Sequence, residues 1–443
     1  MNIQTQTSSL PTDRKTNHKG GYYKVNRSSG GFDWWLAGIC LARAFNGIVF
    51  MTYAAALPVL QNAWGMSGSA AGTIAGAFSI CYALSLVTIS SMADRMGPKF
   101  LYLGSMTASA AFALLFALFA RDYWSGLTLY SLLALSMGGN YTTALMVISE
   151  QYPAHRRGMA MGFFIASTSL GYTMSLILSG VAIPIGGYKL SFYLTCTGPV
   201  IGATLAWATL LRTRVNPPQE RKGKKLSREV LGKPSVMALV YGYAGHSWEL
   251  LGMWAWTPAF FSACLVLGGS KIMTAVGIGA YVTAAFHVTG LIASFTMGSL
   301  SDRIGRARVM MALSGLSALI SFTFGWVISW PFILVFALGL IYSFACLGDS
   351  PILSAAMTEV VDSAYMGTAF GLRSLLGFGA GAVSPIIFGF VLDVTNPSAI
   401  GSSAYETWGW AFGILGLGGL VAVLSAYMYG RYSLQINMKG KVN

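Results

Sequence analysis

Twelve long apolar segments are the feature that most constrains how this chain folds. Each is long enough to cross a bilayer as a helix, which takes about 20 residues. Charged residues make up only 9% of the chain, against roughly 25% in a soluble domain. The sequence therefore predicts an all-α integral membrane protein. Its twelve predicted spans, numbered in chain order, are 34–60, 69–92, 99–120, 124–148, 158–182, 189–211, 235–263, 273–300, 307–328, 331–356, 366–392 and 405–430.

One polar segment divides these spans into two sets of six. Residues 212–234 contain Pro217, Pro218 and eight basic residues, a composition typical of an aqueous linker. We therefore predict two six-helix bundles, 34–211 and 235–430, joined by a cytoplasmic linker. Residues 1–33 are polar and lack the apolar core of a signal peptide, so we expect a disordered cytoplasmic tail. Residues 431–443 form a second predicted tail.

The basic residues indicate orientation in a membrane. The net charge is +14, and 23 of the 28 Lys and Arg residues lie in the two tails, the linker and three short loops. This pattern is typical of membrane topology and not of nucleic-acid binding, and it predicts that both termini are cytoplasmic. The five cysteines lie singly in apolar segments, without the spacing of a metal site or a disulfide framework. We expect no metal and no cofactor.

The two sets of spans carry an internal repeat. The loop "SSMADRMGPK" at 90–99 resembles "GSLSDRIGRA" at 298–307, with Asp94 and Asp302 208 positions apart. A second pair begins at Glu150 and at Glu359, 209 positions apart, and each member continues into glycines with the same spacing. Two independent motifs at nearly one offset indicate that the halves are repeats.

Twelve spans, a long linker and a doubled G-x-x-x-D-R-x-G-R-type loop resemble the major facilitator superfamily of secondary transporters. The resemblance covers residues 34–430. The first copy of the loop departs from the pattern at Ser90 and Pro98. The branch stays open between a nitrate/nitrite-porter-like group and an organic-anion group, although spans 5 and 11 lack the asparagines of the porter signature. The second copy of the loop matches through Gly298, Asp302, Arg303, Gly305 and Arg306.

The resemblance implies a gate at the loop motif. Asp94 and Asp302 are each expected to face the positive N-terminal end of a helix from the other half, spans 11 and 5. The alternative is that the basic residues only anchor the cytoplasmic side. The predicted gating residues are Asp94, Arg95, Glu150, Asp302, Arg303, Arg306 and Glu359.

The resemblance also implies that spans 1, 4, 7 and 10 line a central cavity. An ionisable group at membrane depth costs ~2.5–3.5 kcal/mol on insertion scales, so it normally faces a cavity or a partner. The repeat offset aligns Asn140 of the first half with Asp349 of the second. The same site therefore carries a neutral side chain in one half and an ionisable side chain in the other. The predicted substrate-binding residues are Arg43, Asn46, Asn140, Tyr141, His246, Trp248 and Trp254, and the predicted proton-coupling residues are His246, Glu249 and Asp349.

Several of these residues have a structural alternative. Arg43 either binds an anionic substrate or forms an ion pair with Asp349 or Glu249. His246 shares a helical face with Glu249, and the two either exchange a proton or form part of the core. Both tryptophans are equally compatible with packing. His287 and Arg373 are weaker candidates, since Arg373 lies two turns into span 11 and is expected to extend toward the cytoplasmic surface.

These expectations describe a secondary transporter and not an enzyme, because no catalytic motif or soluble catalytic domain is present. We predict a monomeric symporter in a bacterial plasma (inner) membrane that moves a small anion by alternating access, coupled to protons. Its partners are the solute, the coupling ion and the lipid bilayer, without nucleic acid. Two alternatives stay open: a proton-driven exporter of amphipathic or cationic compounds, and a receptor or scaffold that has lost transport.

Overall fold

The computed structural model of the protein describes residues 32–215, 231–362 and 365–439. Within these ranges the chain forms α-helices and short 3-10 turns, with no β-strand. The predicted 1–33 tail, the centre of the linker and the last four residues therefore lie almost entirely outside the described residues. The helices are α1 Trp34–Gly47, α2 Thr52–Trp64, α3 Gly68–Met96, α4 Pro98–Phe119, α5 Tyr123–Met137, α6 Gly139–Gln151, α7 Ala154–Leu210, α8 Pro234–Leu267, α9 Ile272–Ile304, α10 Arg306–Phe324, α11 Phe332–Gly348, α12 Ser350–Val360, α13 Met366–Thr395 and α14 Gly409–Lys439.

The described helices match the predicted spans, except that predicted spans 5 and 6 form one long helix. Eleven segments are long and apolar enough to cross a membrane, and three of them combine two helices each: α1 with α2, α5 with α6, and α11 with α12. The 57-residue helix α7 is far too long for one crossing of a ~30 Å core. Its backbone leaves helical geometry at Gly186 and Gly187, between predicted spans 5 and 6. Dividing α7 there gives twelve crossings in the described part of the chain.

Matching turns confirm that the halves repeat each other. Gly97 and Gly305 have φ angles of 90° and 102° and stand directly before α4 and α10. Only glycine adopts this conformation readily, which explains its place in both loop motifs. Regular helical hydrogen bonding is interrupted near the middle of the fourth span of each half, at Gly138 and at Asp349, although the backbone keeps helical angles there. A side chain at Gly139 would meet Ser105, so the first interruption depends on a close helix approach.

The halves contact each other mainly at one end of the molecule. We call the end with the Gly97 and Gly305 turns the basic end and the other the opposite end. Near the opposite end, α3 packs against α13 and α7 against α9, and a Cβ built on Gly72 would lie 2.1 Å from the carbonyl oxygen of Pro385. At the basic end, a Cβ built on Gly158 or Gly367 has no neighbour within 4 Å. The close contacts between the halves therefore lie toward the opposite end, and these two glycines of the basic end make none.

Candidate functional site

Arg43 is buried in the first half among aromatic and hydroxyl side chains. Helix α1 buries it to 4% exposure, and its Nε donates to the hydroxyl of Thr168 at 3.0 Å. Its guanidinium carbon lies 5.6 Å from the ring centre of Tyr141 and 5.9 Å from that of Phe164. Tyr82 also interacts electrostatically with Arg43. Aromatic faces attract a cation, but they do not neutralise its charge.

The predicted ion pair between Arg43 and a carboxylate is absent from the described residues. The two candidate partners are occupied elsewhere: Asp349 lies 2.7 Å from His246, and Glu249 accepts hydrogen bonds from serines of α10. Arg43 therefore keeps a positive charge that no carboxylate of the described chain balances.

His246 and Asp349 form a buried pair in the second half. The Nδ1 atom of His246 lies 2.7 Å from an oxygen of Asp349, and both side chains are almost fully buried. The hydroxyl of Ser314 donates to the second oxygen of Asp349 at 3.2 Å. The break between α11 and α12 places the carboxylate here, since Asp349 is the junction residue. The sequence analysis paired His246 with Glu249, whereas in the structure the imidazole of His246 contacts Asp349.

Glu249 belongs to a neighbouring hydroxyl network. Its Oε1 accepts hydrogen bonds from Ser317 at 2.6 Å and from Ser321 at 2.8 Å. Ser321 also contacts the hydroxyl of Tyr342 at 2.5 Å. Both carboxylates interact electrostatically with His246, so the three ionisable groups lie close enough to influence one another. The serines of α10 were missed in the sequence analysis, because single serines in apolar helices carry no pattern.

The first half has a neutral pair at the corresponding place. The amide nitrogen of Asn140 donates to Asn46 at 2.9 Å and to Ser109 at 3.1 Å. The Nδ2 atom of Asn46 and the Oδ1 atom of Asn140 are buried without a hydrogen-bond partner in the described chain. The predicted equivalence of Asn140 and Asp349 therefore extends to their contacts: α1 and α8 supply the partner, and α4 and α10 supply a serine.

The two predicted tryptophans have different surroundings. Trp248 donates from Nε1 to the carbonyl of Ile414 at 2.9 Å and packs on α14, on the side of α8 away from the other half. Trp254 lines a small cavity of about 50 Å³ between the halves, together with Phe50 and Pro385. Its ring centre lies 5.2 Å from that of His287. Of the two tryptophans, only Trp254 lines this cavity.

Arg373 differs from its expected position. It does not extend to an aqueous surface: its exposure is 8%, its Nη1 donates to Ser354 at 2.9 Å, and its guanidinium lies 4.0 Å from the ring centre of Tyr243. Its Nε is buried without a hydrogen-bond partner in the described residues. The ring and the hydroxyl hold the side chain inside, so proximity to a helix end was a poor guide.

The predicted gating residues of the second half form one cluster at the basic end. Arg306 lies 2.5 Å from Asp302 and 3.0 Å from Glu359, and the Asp302 side chain is 61% exposed. These contacts stay within one half, whereas Asp302 was expected to face a helix of the other. Arg95, Arg303 and Glu150 are exposed at the same end, and the side chain of Asp94 lies outside the described part of the structure.

A cross-half contact at the opposite end was missed. Asp393, at the end of α13, accepts the backbone N–H groups of Gly68 and Ser69 at 2.6 and 2.8 Å and the Ser69 hydroxyl at 2.6 Å. A carboxylate at the N-terminus of α3 is favoured by the helix dipole. Gln61 and Tyr405 extend the contact, since Gln61 donates to the Tyr405 hydroxyl at 2.9 Å. The available signal was a lone acid at the end of a span on the side poor in basic residues.

Metal binding has no support in the part of the chain that the structure describes, where no three His, Cys, Asp or Glu side chains cluster to hold an ion. The five cysteines are free. Large apolar side chains such as Phe295, Leu319 and Ile333 are exposed on the outer helical faces, which is the surface that lipid covers.

Curated proteins of similar sequence are transporters. A probable sulfoacetate transporter of Cupriavidus necator is 24% identical over 81% of this chain and 86% of its own. The gentisate transporter of Corynebacterium glutamicum is 20% identical over 79% of this chain and 78% of its own. A multidrug resistance protein of Enterobacter lignolyticus is 27% identical over 62% of this chain and 66% of its own.

The fold matches a solved transporter. A bacterial homologue of the human lysosomal transporter Spinster, in an inward-facing and unoccupied conformation, superposes with a TM-score of 0.69. The match covers 91% of this chain and 98% of the other at 18% identity. A profile of the Major Facilitator Superfamily matches residues 39–286, more than half of the chain. The chain therefore belongs to the Major Facilitator Superfamily, and it is a multi-pass membrane transporter, not an enzyme.

Proposed function

We propose that this protein is a secondary active transporter of a small organic anion, driven by proton coupling. Arg43 carries the proposal. It is buried beside Tyr141 in the first half, and no carboxylate of the described chain neutralises it. A buried charge is normally paired, so the missing partner is assigned to the solute. Tyr141 and Phe164 beside the guanidinium favour a solute with an apolar or aromatic part.

The names of the relatives agree with this class. Sulfoacetate and gentisate, named for two of them, are organic anions. A multidrug resistance protein is also among the relatives, which keeps the export of cations as the competing function. Against it, the two buried carboxylates are engaged with His246 and with serines, so they offer less negative charge to a bound cation.

In alternating access, the site is exposed to one side of the membrane and then to the other. Asp393 and the α3–α13 contact close the opposite end. We assign the basic end to the cytoplasm from its Lys and Arg content. His246, Asp349 and Glu249 are buried close together in the second half, where gain or loss of one proton changes the charge of that half. They are the proposed coupling site.

The test of the function is Arg43→Gln in purified protein. Anions that bind the native state raise its melting temperature, so small carboxylates and sulfonates should stabilise the wild type. Losing the charged hydrogen bonds of Arg43 should weaken binding roughly tenfold to a hundredfold. Arg43→Lys should recover only part, because lysine lacks the planar fork that grips an acid group.

Arg121→Gln is the matched control, since Arg121 is an exposed loop residue at the opposite end, and it should bind as the wild type does. The proposal is wrong if Arg43→Gln binds organic anions normally. Stabilisation by lipophilic cations alone would favour the exporter instead.

A further inference from the structure

Arg373 forms a second cationic position that the proposed function does not use. It comes from α13, in the other half from Arg43, and its exposure is 8%. Its guanidinium lies over the rings of Tyr243 and Phe370, at 4.0 and 4.7 Å. No carboxylate of the described residues pairs with it, and one of its N–H groups has no acceptor. A buried donor without an acceptor is costly, which points to a ligand.

Arg373 and Arg43 have similar aromatic surroundings. In the two halves, however, the arginine and its aromatic neighbour come from exchanged helices. The repeat offset of 209 relates Arg373 to Phe164, whose ring lies beside Arg43. Tyr243 follows Arg43 by 200 positions, the same separation as between Asn46 and His246, and its ring lies beside Arg373. Each half therefore sets one guanidinium on an aromatic ring, from α1 in the first half and from α13 in the second.

The two guanidinium groups have aromatic neighbours in common. Tyr141 interacts electrostatically with both Arg43 and Arg373. Tyr82 interacts electrostatically with Arg43, and its ring centre lies 6.0 Å from that of Phe378, on the helix that carries Arg373. Two fixed positive charges, one in each half, thus have aromatic side chains between them.

We propose that the transported solute is a dianionic organic acid, with one acidic group bound by Arg43 and the other by Arg373. This rests on the proposed function, because it specifies the charge of the anion at the same site. A monoanion would neutralise only one guanidinium and leave the other buried without a counter-charge. A dianion neutralises both and joins the two halves through the solute.

Matched ligand pairs test the charge of the solute. Affinities of purified protein are measured at pH 7 and constant ionic strength for propionate against succinate, and for benzoate against benzene-1,4-dicarboxylate. At least one dicarboxylate should bind the wild type at least tenfold more tightly than its monocarboxylate partner. Arg373→Gln should lower that affinity at least tenfold while changing monocarboxylate affinity less than threefold, since Arg43 is intact.

Three controls separate the outcomes. Arg373→Lys keeps the charge and should retain part of the preference, which distinguishes a ligand contact from a folding role of the side chain. Arg121→Gln should keep the full preference. If monocarboxylates bind in an Arg43-dependent way and no dicarboxylate is preferred, the dianion inference is wrong and the proposed function stands. If no organic anion binds the wild type, the proposed function fails and the inference fails with it.

Discussion

The two halves of the molecule build the same buried contact from different chemistry. In the first half Asn140 bonds to Asn46 at 2.9 Å, and in the second Asp349 lies 2.7 Å from His246. A serine completes each set, Ser109 in one and Ser314 in the other. The interruption in helical hydrogen bonding that positions Asn140 recurs at Asp349. One scaffold therefore carries a neutral pair and an ionisable pair.

The same difference recurs at the contacts between halves. The repeat partner of Asp393, 209 positions earlier, is Pro184. Asp393 binds the N-terminus of α3 through hydrogen bonds, whereas Pro184 packs on Gly277 of α9. Buried ionisable groups are costly in a membrane, so their concentration in the second half indicates that the first half serves mainly as a frame. Arg43 is the exception, and it is the residue assigned to the solute.

The largest expected effect comes from removing the ionisable groups of the second half. In reconstituted vesicles, Glu249→Gln and Asp349→Asn each fix one group in a neutral form. The variant that removes the proton carrier should retain exchange of solute across the membrane, which needs no net proton movement. Accumulation driven by a pH gradient should fall to the equilibrium level, and its pH dependence should disappear.

The variant that leaves accumulation intact serves as the control for the other. Should both variants still concentrate solute with the wild-type pH dependence, coupling through this site is wrong. The comparison between the halves would then reflect packing alone.

A smaller effect is expected in the neutral half. Asn140→Ala removes the hydrogen bonds to Asn46 and Ser109 and leaves a buried amide unsatisfied, which should lower the free energy of unfolding by about 1–3 kcal/mol. Uphill accumulation per folded molecule should persist, because no proton is carried there. Thermal unfolding in detergent and vesicle uptake measure the two quantities.

Asn46→Ala and the double variant complete a cycle that isolates the pair from its surroundings. Strictly additive losses in stability would show that the two amides do not interact. A loss of proton-driven accumulation in Asn140→Ala would break the proposed division between the halves.

The smallest effect is expected at the opposite end. Asp393→Asn removes a negative charge that the N-terminus of α3 stabilises by about 1 kcal/mol. Losing this free energy corresponds to a roughly fivefold shift in population toward conformers open at that end. Distances between spin labels placed across the α3–α13 contact would report the shift. Glu406→Gln, at an exposed carboxylate of the same end, should leave the distribution unchanged. An unchanged distribution in Asp393→Asn would show that the Asp393 contact does not hold that end closed.

Residue patterns predicted the frame of the protein well, because periodic features survive without knowledge of contacts. Apolar run length gave the spans, and two loop motifs gave the repeat. The sequence did not predict that spans 5 and 6 join into the single helix α7, since Gly186 and Gly187 bend the helix without ending it. The site residues Arg43, His246, Glu249 and Asp349 were recognisable, because an ionisable side chain inside an apolar run is conspicuous.

The partners of those residues were not recognisable from the sequence. Which carboxylate His246 meets depends on how α8 packs against the break between α11 and α12, a distance of about a hundred positions along the chain. Arg373 looked like a surface residue until the ring of Tyr243 was found beside it. Asp393 lies one residue past the predicted span 366–392, and only the structure places its carboxylate at the start of α3.

The sequence by itself determined the class of fold, the internal repeat and the set of buried ionisable groups, because apolar length and charge placement are properties of the chain. The tertiary structure decided which of these groups neutralise one another and which do not. In the structure Asp349 contacts His246, and Glu249 accepts hydrogen bonds from two serines. Arg43 and Arg373 have no carboxylate partner among the described residues. Hydrogen bonds and charge pairing act over a few ångströms, and only the packing of helices brings distant residues within that range.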